Sequence, residues 1–375
     1  MDNTEVKKAK KNADFWIIAA TLILLSFGIV MVSSASSYAS IAQYGKQNIF
    51  LNQQSKAAAI GLIVMLVASA VDYKWMKKLS YPAFAISFIA MLLVFIPGLS
   101  GSSGGATRWL RIAGQSMQPS EFMKIGLIFG LSMYISTNFK KIDNKIKGLI
   151  PCLCMLSAVG IALYFQNHMS GVVIMCVIAF SIILASGIRI KKRYVAGSLI
   201  LILIAGAIFI FGDPTGFRLK RIVNFVKPTG EIQSSGEWQA NQSLYAVGSG
   251  KLFGRGLGQS RQKYLWLPEA QTDFIFAVLA EELGWIGCAV VLLCFFILIL
   301  RGYVVALSSR DLFCTLVATG ITSMIAAQVI INICVVTAMV PVTGMPLPLF
   351  SYGGTALIIN LGAIGVLLNM SKRVE

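Results

Sequence analysis

Apolar runs of about twenty residues recur along this chain, from Phe15 to Met370. A run of that length, at 1.5 Å per residue, crosses the ~30 Å hydrocarbon core of a bilayer as a helix. The runs fall at about 15–35, 54–71, 79–97, 119–136, 149–165, 170–186, 194–212, 272–300, 312–337 and 351–370. The expectation is an all-α polytopic membrane protein with ten transmembrane helices, one integral membrane domain over 1–375. Composition agrees, since 57% of the 375 residues are hydrophobic and the mean hydropathy is +0.77. The run at 15–35 follows a basic patch, as in a signal peptide. It is longer than a signal core and more spans follow at once, so it is read as a retained first helix.

The charges between the runs test the count. With segment 1–14 in the cytoplasm, the inner segments hold KKAKK, KWMKK, KKIDNKIK and RIKKR, then Arg301 with Arg310, then Lys372 with Arg373 in the tail 371–375. The short outer loops hold only Lys46, Arg108 and Arg111. This satisfies the positive-inside rule at every inner segment and sets both termini in the cytoplasm. The net charge of +17 then reflects helix anchoring and attraction to anionic membrane lipids, and a nucleic-acid partner is not expected. The seven cysteines all fall in apolar runs with no CxxC pair, and His168 is the single histidine. They build no disulfide framework and no metal site.

Two outer loops stand out. Residues 98–118 are Gly/Ser-rich and then carry Arg108, Trp109 and Arg111. The loop 213–271, between the seventh and eighth spans, is far longer than an ordinary connection, and such loops are usually functional or disordered. It is not of low complexity. Trp238, Tyr245, Leu252 and Phe253 offer apolar anchors to the membrane surface, and 238–248 fits a short interfacial helix. Its basic residues are Arg218, Lys220, Arg221, Lys227, Lys251, Arg255, Arg261 and Lys263. They suit either a substrate of large negative charge or contact with lipid headgroups.

The most informative stretch is YLWLPEAQTDFIFAVLAEELGWIG, residues 264–287. Pro268 stops what precedes it, Thr272 is placed to cap a helix, and Asp273 falls in the first turn, where the helix dipole favours an anion. Asp273 then stands at the outer surface. Glu281 and Glu282 lie roughly 12 Å deeper, as functional acids or as partners of buried bases. The fourth span opens Gln118-Pro119-Ser120-Glu121, and Glu121 and Lys124 share a face, lining a cavity or fixing helix packing. The last span opens Ser351-Tyr352-Gly353-Gly354, an anion nest or a close-packing site. Even-numbered spans begin outside, so several helix N-termini face the same side as the basic loop, a setting for a pyrophosphate.

Four of these segments together resemble a family. PEAQTDFIFAVLAEELG, GATRWLRI…QPSEFMKIG, NQSLYAVGSGKLFGRGLG and PLPLFSYGGTA are similar to the signatures of the SEDS family (shape, elongation, division and sporulation), which includes FtsW, RodA and SpoVE, and lie nearer the FtsW/SpoVE branch. The resemblance spans nearly the whole chain. It implies a glycosyltransferase of the bacterial plasma membrane, at a division septum or forespore membrane, that polymerises lipid II on the outer face. It implies a class B penicillin-binding protein as partner, among divisome or sporulation proteins. The family's essential acid falls on Asp273, and its fourth-helix acid and base fall on Glu121 and Lys124. Arg108, Arg218, Lys263, Ser351, Gly353 and Gly354 are expected to contact substrate, with Glu269, Gln271, His168 and Glu281 as further candidates. Where the family usually has histidine before Thr-Asp, this chain has Gln271, so any base role rests on Asp273 alone. The family's proline between helices 5 and 6 is absent from Gln166-Asn167-His168-Met169.

The chemistry implied is a single inverting displacement. Asp273 takes the proton of the acceptor 4-hydroxyl, and the leaving pyrophosphate is stabilised by the basic loop, by helix N-termini, or by a divalent cation, Mg or Mn. The competing class is a lipid II flippase or other transporter, which would depend on midplane charges in broken helices. A third is a scaffold that only recruits a transpeptidase.

Overall fold

The structure is a computed structural model, described for residues 13–96, 98–103, 106–112, 115–142, 148–188, 235–264 and 266–373. Its helices are α1 (Phe15–Tyr44), α2 (Ile49–Ala70), α3 (Tyr73–Leu93), α4 (Pro119–Ile142), α5 (Ile150–Phe165), α6 (Met169–Ala185), α7 (Ser235–Ser249), α8 (Ile275–Leu307), α9 (Leu312–Val336) and α10 (Gly354–Ser371). α7 is the helix anticipated within the long loop; the others are expected spans. The seventh expected span, 194–212, lies outside the described residues, as do 1–12 and 213–234. Among the described residues, α1, α2, α3, α8, α9 and α10 are long and apolar enough to cross a membrane, and α5 and α6 are shorter apolar helices. The chain is a polytopic, multi-pass membrane protein.

Local chemistry sets several boundaries. Asp14 caps α1, its carboxylate accepting from the amides of Trp16 and Ile17, and Asp72 and Asp311 cap α3 and α9 in the same way. α1 runs past its expected end to Tyr44 and stops at Gly45, whose φ of 66° is the left-handed C-cap that glycine adopts without strain.

α9 is the centre of the bundle, with α4, α6, α8 and α10 packed on it. α10 also packs on α2, and contact is so close that a Cβ on Gly365 would lie 2.3 Å from the Met65 carbonyl. Small residues let helix backbones approach in this way where apolar burial alone gives no preference in lipid. One end of the bundle gathers both ends of the described chain. Asp14 pairs with Arg301 at 2.5 Å and its amide donates to the Ser371 hydroxyl. Asn369 donates to the carbonyls of Ala68, Ser69 and Val71 at the end of α2.

The other end carries a feature that the all-α expectation did not include. Residues 100–117 form a three-stranded antiparallel sheet, β1 (Ser100–Ser103), β2 (Ala106–Ile112) and β3 (Gln115–Met117), in that order. A bulge between Gly101 and Ser102 shifts the β1–β2 register. Gly101 faces Trp109 and Ser102 faces Thr107, so Arg108 is the extra residue at the bulge. Leu110 is fully buried, and β2 packs on α4.

Candidate functional site

Asp273 lies at that end, two residues before α8. The expected cap is not formed: the Thr272 hydroxyl donates to the Glu269 carbonyl and carboxylate at 3.1 and 2.9 Å, and Phe274 is the N-cap with no side-chain bond. The reason is the reversal after Pro268. Glu269 adopts a positive φ of 57°, and its carbonyl accepts from the amides of Thr272 and Phe274.

A loop of residues 337–353, between α9 and α10, encloses this turn. Asn332 of α9 donates to the Asp273 carbonyl at 2.8 Å and to the Met345 carbonyl at 2.7 Å. The Tyr352 amide donates to the Gln271 carbonyl at 2.9 Å. Gly344, with φ of 71°, stands against the acid: a Cβ there would lie 3.5 Å from Asp273 Oδ2. Asp273 is half-buried, and loss of solvent pushes its carboxyl up to about 7; the Glu269 carboxylate adds to this and Arg108 opposes it. The dipole of the helix that follows favours the anion, whereas enclosure acts in the opposite direction on the same carboxyl.

Three further groups converge on this region. Arg108 donates to the Asn167 carbonyl at 2.5 Å, joining the sheet to the turn between α5 and α6. The next residue, His168, is buried. Burial, then the positive charges of Arg108 and Lys124, hold its imidazole down at about 3, so it is neutral. Glu121 and Lys124 form the expected i,i+3 ion pair at 2.7 Å with both side chains buried. Arg108 bears on both Asp273 and His168, and Lys124 bears on His168. Lys124 near the start of α4 bears on His168 at the start of α6, and the Tyr352 amide ahead of α10 bonds the Gln271 carbonyl ahead of α8, so helix N-termini gather at this end.

The other candidates are placed differently. α8 is not one straight span: Gly284, at φ 66° and ψ −164°, breaks it after a short helix 275–283. Loop 250–263 fits into the break. The Arg255 and Gly256 amides donate to the carbonyls of Glu281 and Glu282, and the Trp285 and Ile286 amides donate to those of Lys251 and Leu252. The Glu281 carboxylate accepts from the Ser260 hydroxyl at 2.6 Å and from the Arg261 amide at 3.0 Å. Glu282 accepts from Ser34 of α1 at 2.7 Å and pairs with Lys263 at 3.3 Å. Lys263, Glu281 and Glu282 are buried, so this trio latches the loop to α8 and α1, apart from Asp273.

Ser351 is also engaged within the protein, its hydroxyl accepting from the Leu347 amide at 2.8 Å. The Gly353 amide donates to Gln54 at 3.3 Å, and Gly354 opens α10. Arg218 lies outside the described residues. No group of three or more His, Cys, Asp or Glu side chains in metal-binding arrangement occurs among the described residues. Asn332, Thr343 and Gly344 went unnoticed in the sequence. The available signals were an asparagine inside an apolar run and a loop punctuated by Pro341, Pro346 and Pro348.

The family described as "Cell cycle protein", defined on FtsW, RodA and SpoVE, matches residues 15–375. Stage V sporulation protein E of Bacillus subtilis (strain 168) is 41% identical over 364 residues, 97% of this chain and 98% of that protein. A probable peptidoglycan glycosyltransferase FtsW of Geobacter sp. (strain M18) is 38% identical over 366 residues, 96% of this chain and 97% of its own. Two solved structures share the fold. A chain from a peptidoglycan synthase complex, described for its coordination of polymerization and crosslinking, gives a TM-score of 0.79 at 22% identity, covering 96% of this chain and 97% of its own. The Thermus thermophilus rod shape determining protein RodA gives 0.70 at 24%, covering 97% and 98%.

Proposed function

The chain belongs to the FtsW/RodA/SpoVE family of cell cycle proteins, and on that premise we propose that it is a peptidoglycan glycosyltransferase that polymerises lipid II on the outer face of the bacterial plasma membrane. The observation that carries the reading is the placement of Asp273: its main-chain carbonyl is held by Asn332, its carboxyl stands against Gly344 and is raised to about 7, and the Arg108 charge bears on it.

The step is one displacement. Asp273 accepts the proton of the acceptor sugar's 4-hydroxyl as that oxygen bonds to the donor's anomeric carbon, and the bond from that carbon to the pyrophosphate oxygen breaks. Attack from the face opposite the leaving group inverts the α-linkage to β. A base whose pKa lies near the working pH is the efficient choice. The departing pyrophosphate is met by Arg108 and by the N-termini of the helices that share this end. Glu121 holds Lys124 in place through their ion pair rather than leaving it free to follow the anion. A class B penicillin-binding protein is the proposed partner, crosslinking the strands as they emerge, and the process served is division, sporulation or elongation.

The break in α8 beside two buried glutamates supports a second reading, a lipid II flippase, because transporters place broken helices and charges along the path. One experiment separates the two. Purified protein is given labelled lipid II, with and without a class B penicillin-binding protein, as wild type and as Asp273→Asn. A polymerase makes long strands that disappear in the Asn variant, by about 10²–10⁴-fold for loss of a general base. A flippase transfers lipid II equally with either protein and makes no strands, which would overturn the assignment.

A further inference from the structure

Beside Asp273 the chain leaves a set of buried polar groups without protein partners. Asn332 Oδ1, Thr343 Oγ1 and His168 Nδ1 are each cut off from solvent and make no hydrogen bond within the protein. Buried polar atoms are paired in the great majority of cases, so three in one neighbourhood require a reason.

They are one neighbourhood by contact. Asn332 bonds the Asp273 carbonyl. Thr343 precedes Gly344, on which a Cβ would lie 3.5 Å from the Asp273 carboxylate. The Thr343 carbonyl accepts from Ser170 at 3.1 Å, and Ser170 is two residues from His168. The imidazole is held in place by Gly171, where a Cβ would lie 2.7 Å from His168 Nδ1.

Their chemistry is uniform. Both amide hydrogens of Asn332 are committed to carbonyls, so its oxygen is an acceptor only. The threonine hydroxyl both donates and accepts. The imidazole is neutral and offers a nitrogen, not a charge. The acceptor-only oxygen of Asn332 opposes an anion such as pyrophosphate, and none of the three brings a positive charge to meet one. They suit hydroxyl and amide groups of an uncharged sugar.

We infer that Asn332, Thr343 and His168 form a neutral subsite for the acceptor sugar, binding the hydroxyl and acetamido groups that flank the hydroxyl activated by Asp273. The inference rests on the glycosyltransferase reading and assigns the sugar and the pyrophosphate of the substrate to different residues. Anchoring the ring beside the base supplies orientation, and a site with buried polar groups rejects ligands that leave them unpaired.

The test titrates lipid II and, separately, undecaprenyl pyrophosphate, which has no sugar, into full-length protein in nanodiscs, following the rise in melting temperature. Thr343→Val removes a hydroxyl that bonds nothing in the protein and conserves shape, so it should fold as wild type. It is expected to weaken lipid II binding about 5- to 10-fold, the worth of one hydrogen bond, and to leave undecaprenyl pyrophosphate unchanged. His168→Leu should behave alike, whereas His168→Asn, which keeps a polar atom near the Nδ1 position, should recover part of the loss. If Thr343→Val and His168→Leu bind both ligands as wild type does, the groups serve only buried water and the subsite is wrong, while strand synthesis by the wild type would leave the polymerase reading intact. A wild type that neither polymerises nor prefers lipid II to undecaprenyl pyrophosphate would overturn both.

Discussion

At the scale of single residues, Asp273 ties function to a cost in stability. Its carboxyl titrates near 4 when unfolded and at about 7 when folded. Below about pH 4 both states carry the neutral acid. Between 4 and 7 the unfolded state ionises while the folded state does not, so stability falls across that window and is level above it. Asp273→Asn removes the penalty. The variant should melt higher than wild type at pH 8, by up to about 4 kcal/mol of stability, with little advantage at pH 4. Activity runs the other way: polymerisation by wild type should rise as pH increases through about 7, as the base deprotonates. A flat profile between pH 6 and 8 would contradict the base assignment. The Glu121–Lys124 pair allows a separate prediction. Removing one partner strands a buried charge, at about 3–5 kcal/mol. Glu121→Ala or Lys124→Ala should therefore impair activity more than the exchange Glu121→Lys with Lys124→Glu. If the exchanged protein folds but is as inactive as either single variant in the lipid II assay, mutual neutralisation is not the role of the pair. Both the acid and the pair were legible in the sequence, because charges in apolar surroundings are conspicuous. The elevated pKa was not, since it depends on Gly344 and Glu269 as they stand in the folded chain.

At the scale of elements, α8 shows where sequence reading fails and why. Residues 272–300 form one apolar stretch, and a glycine inside such a stretch is compatible with a continuous helix. The break at Gly284 is imposed from a distance. Loop 250–263 supplies the carbonyls of Lys251 and Leu252 to the amides that follow the break, and its own amides and Ser260 take the carbonyls and carboxylates that precede it. Gly284 is required on two counts: its φ is positive, and a Cβ would lie 2.3 Å from the Gly254 amide and 2.6 Å from the Leu252 carbonyl. Backbone strain alone costs about 1–3 kcal/mol, and the clashes add to it. Gly284→Ala should thus lower the melting temperature in detergent by several degrees and release the loop, read as faster proteolysis within 250–263. Gly248→Ala, where nothing lies within 4 Å of the new Cβ, is the control and should change neither. An alanine at 284 that melts and resists protease like wild type would show that the break is not built into the fold. The sheet at 100–117 was missed for a related reason. Its strands are short and Gly/Ser-rich, with no alternating apolar face until Leu110, so composition described it only as a loop.

At the scale of the whole molecule, spans separated by basic and uncharged loops in alternation specify most of the architecture, because the bilayer permits few arrangements of apolar helices. The way the helices pack was not specified: α9 reads like its neighbours, yet α4, α6, α8 and α10 all pack on it. The structure brings Asp14, Arg301 and Ser371 together at one end, and Asp273, Arg108 and the loop containing Lys251 lie toward the other. From the charge pattern we propose that the end holding Asp14 and Ser371 faces the cytoplasm and the Asp273 end faces outside. This makes a prediction for the exposed Lys251. A Lys251→Cys protein in intact cells should react with a membrane-impermeant maleimide beyond the background of the wild type, whose Cys154 is itself exposed. A cysteine at Lys372, which donates to the Ser69 carbonyl at the opposite end, should react only after the membrane is permeabilised. The reverse pattern would put Asp273 in the cytoplasm. An acid there meets no substrate on the outer face, so the reverse pattern would exclude strand synthesis on that side as well as the topology.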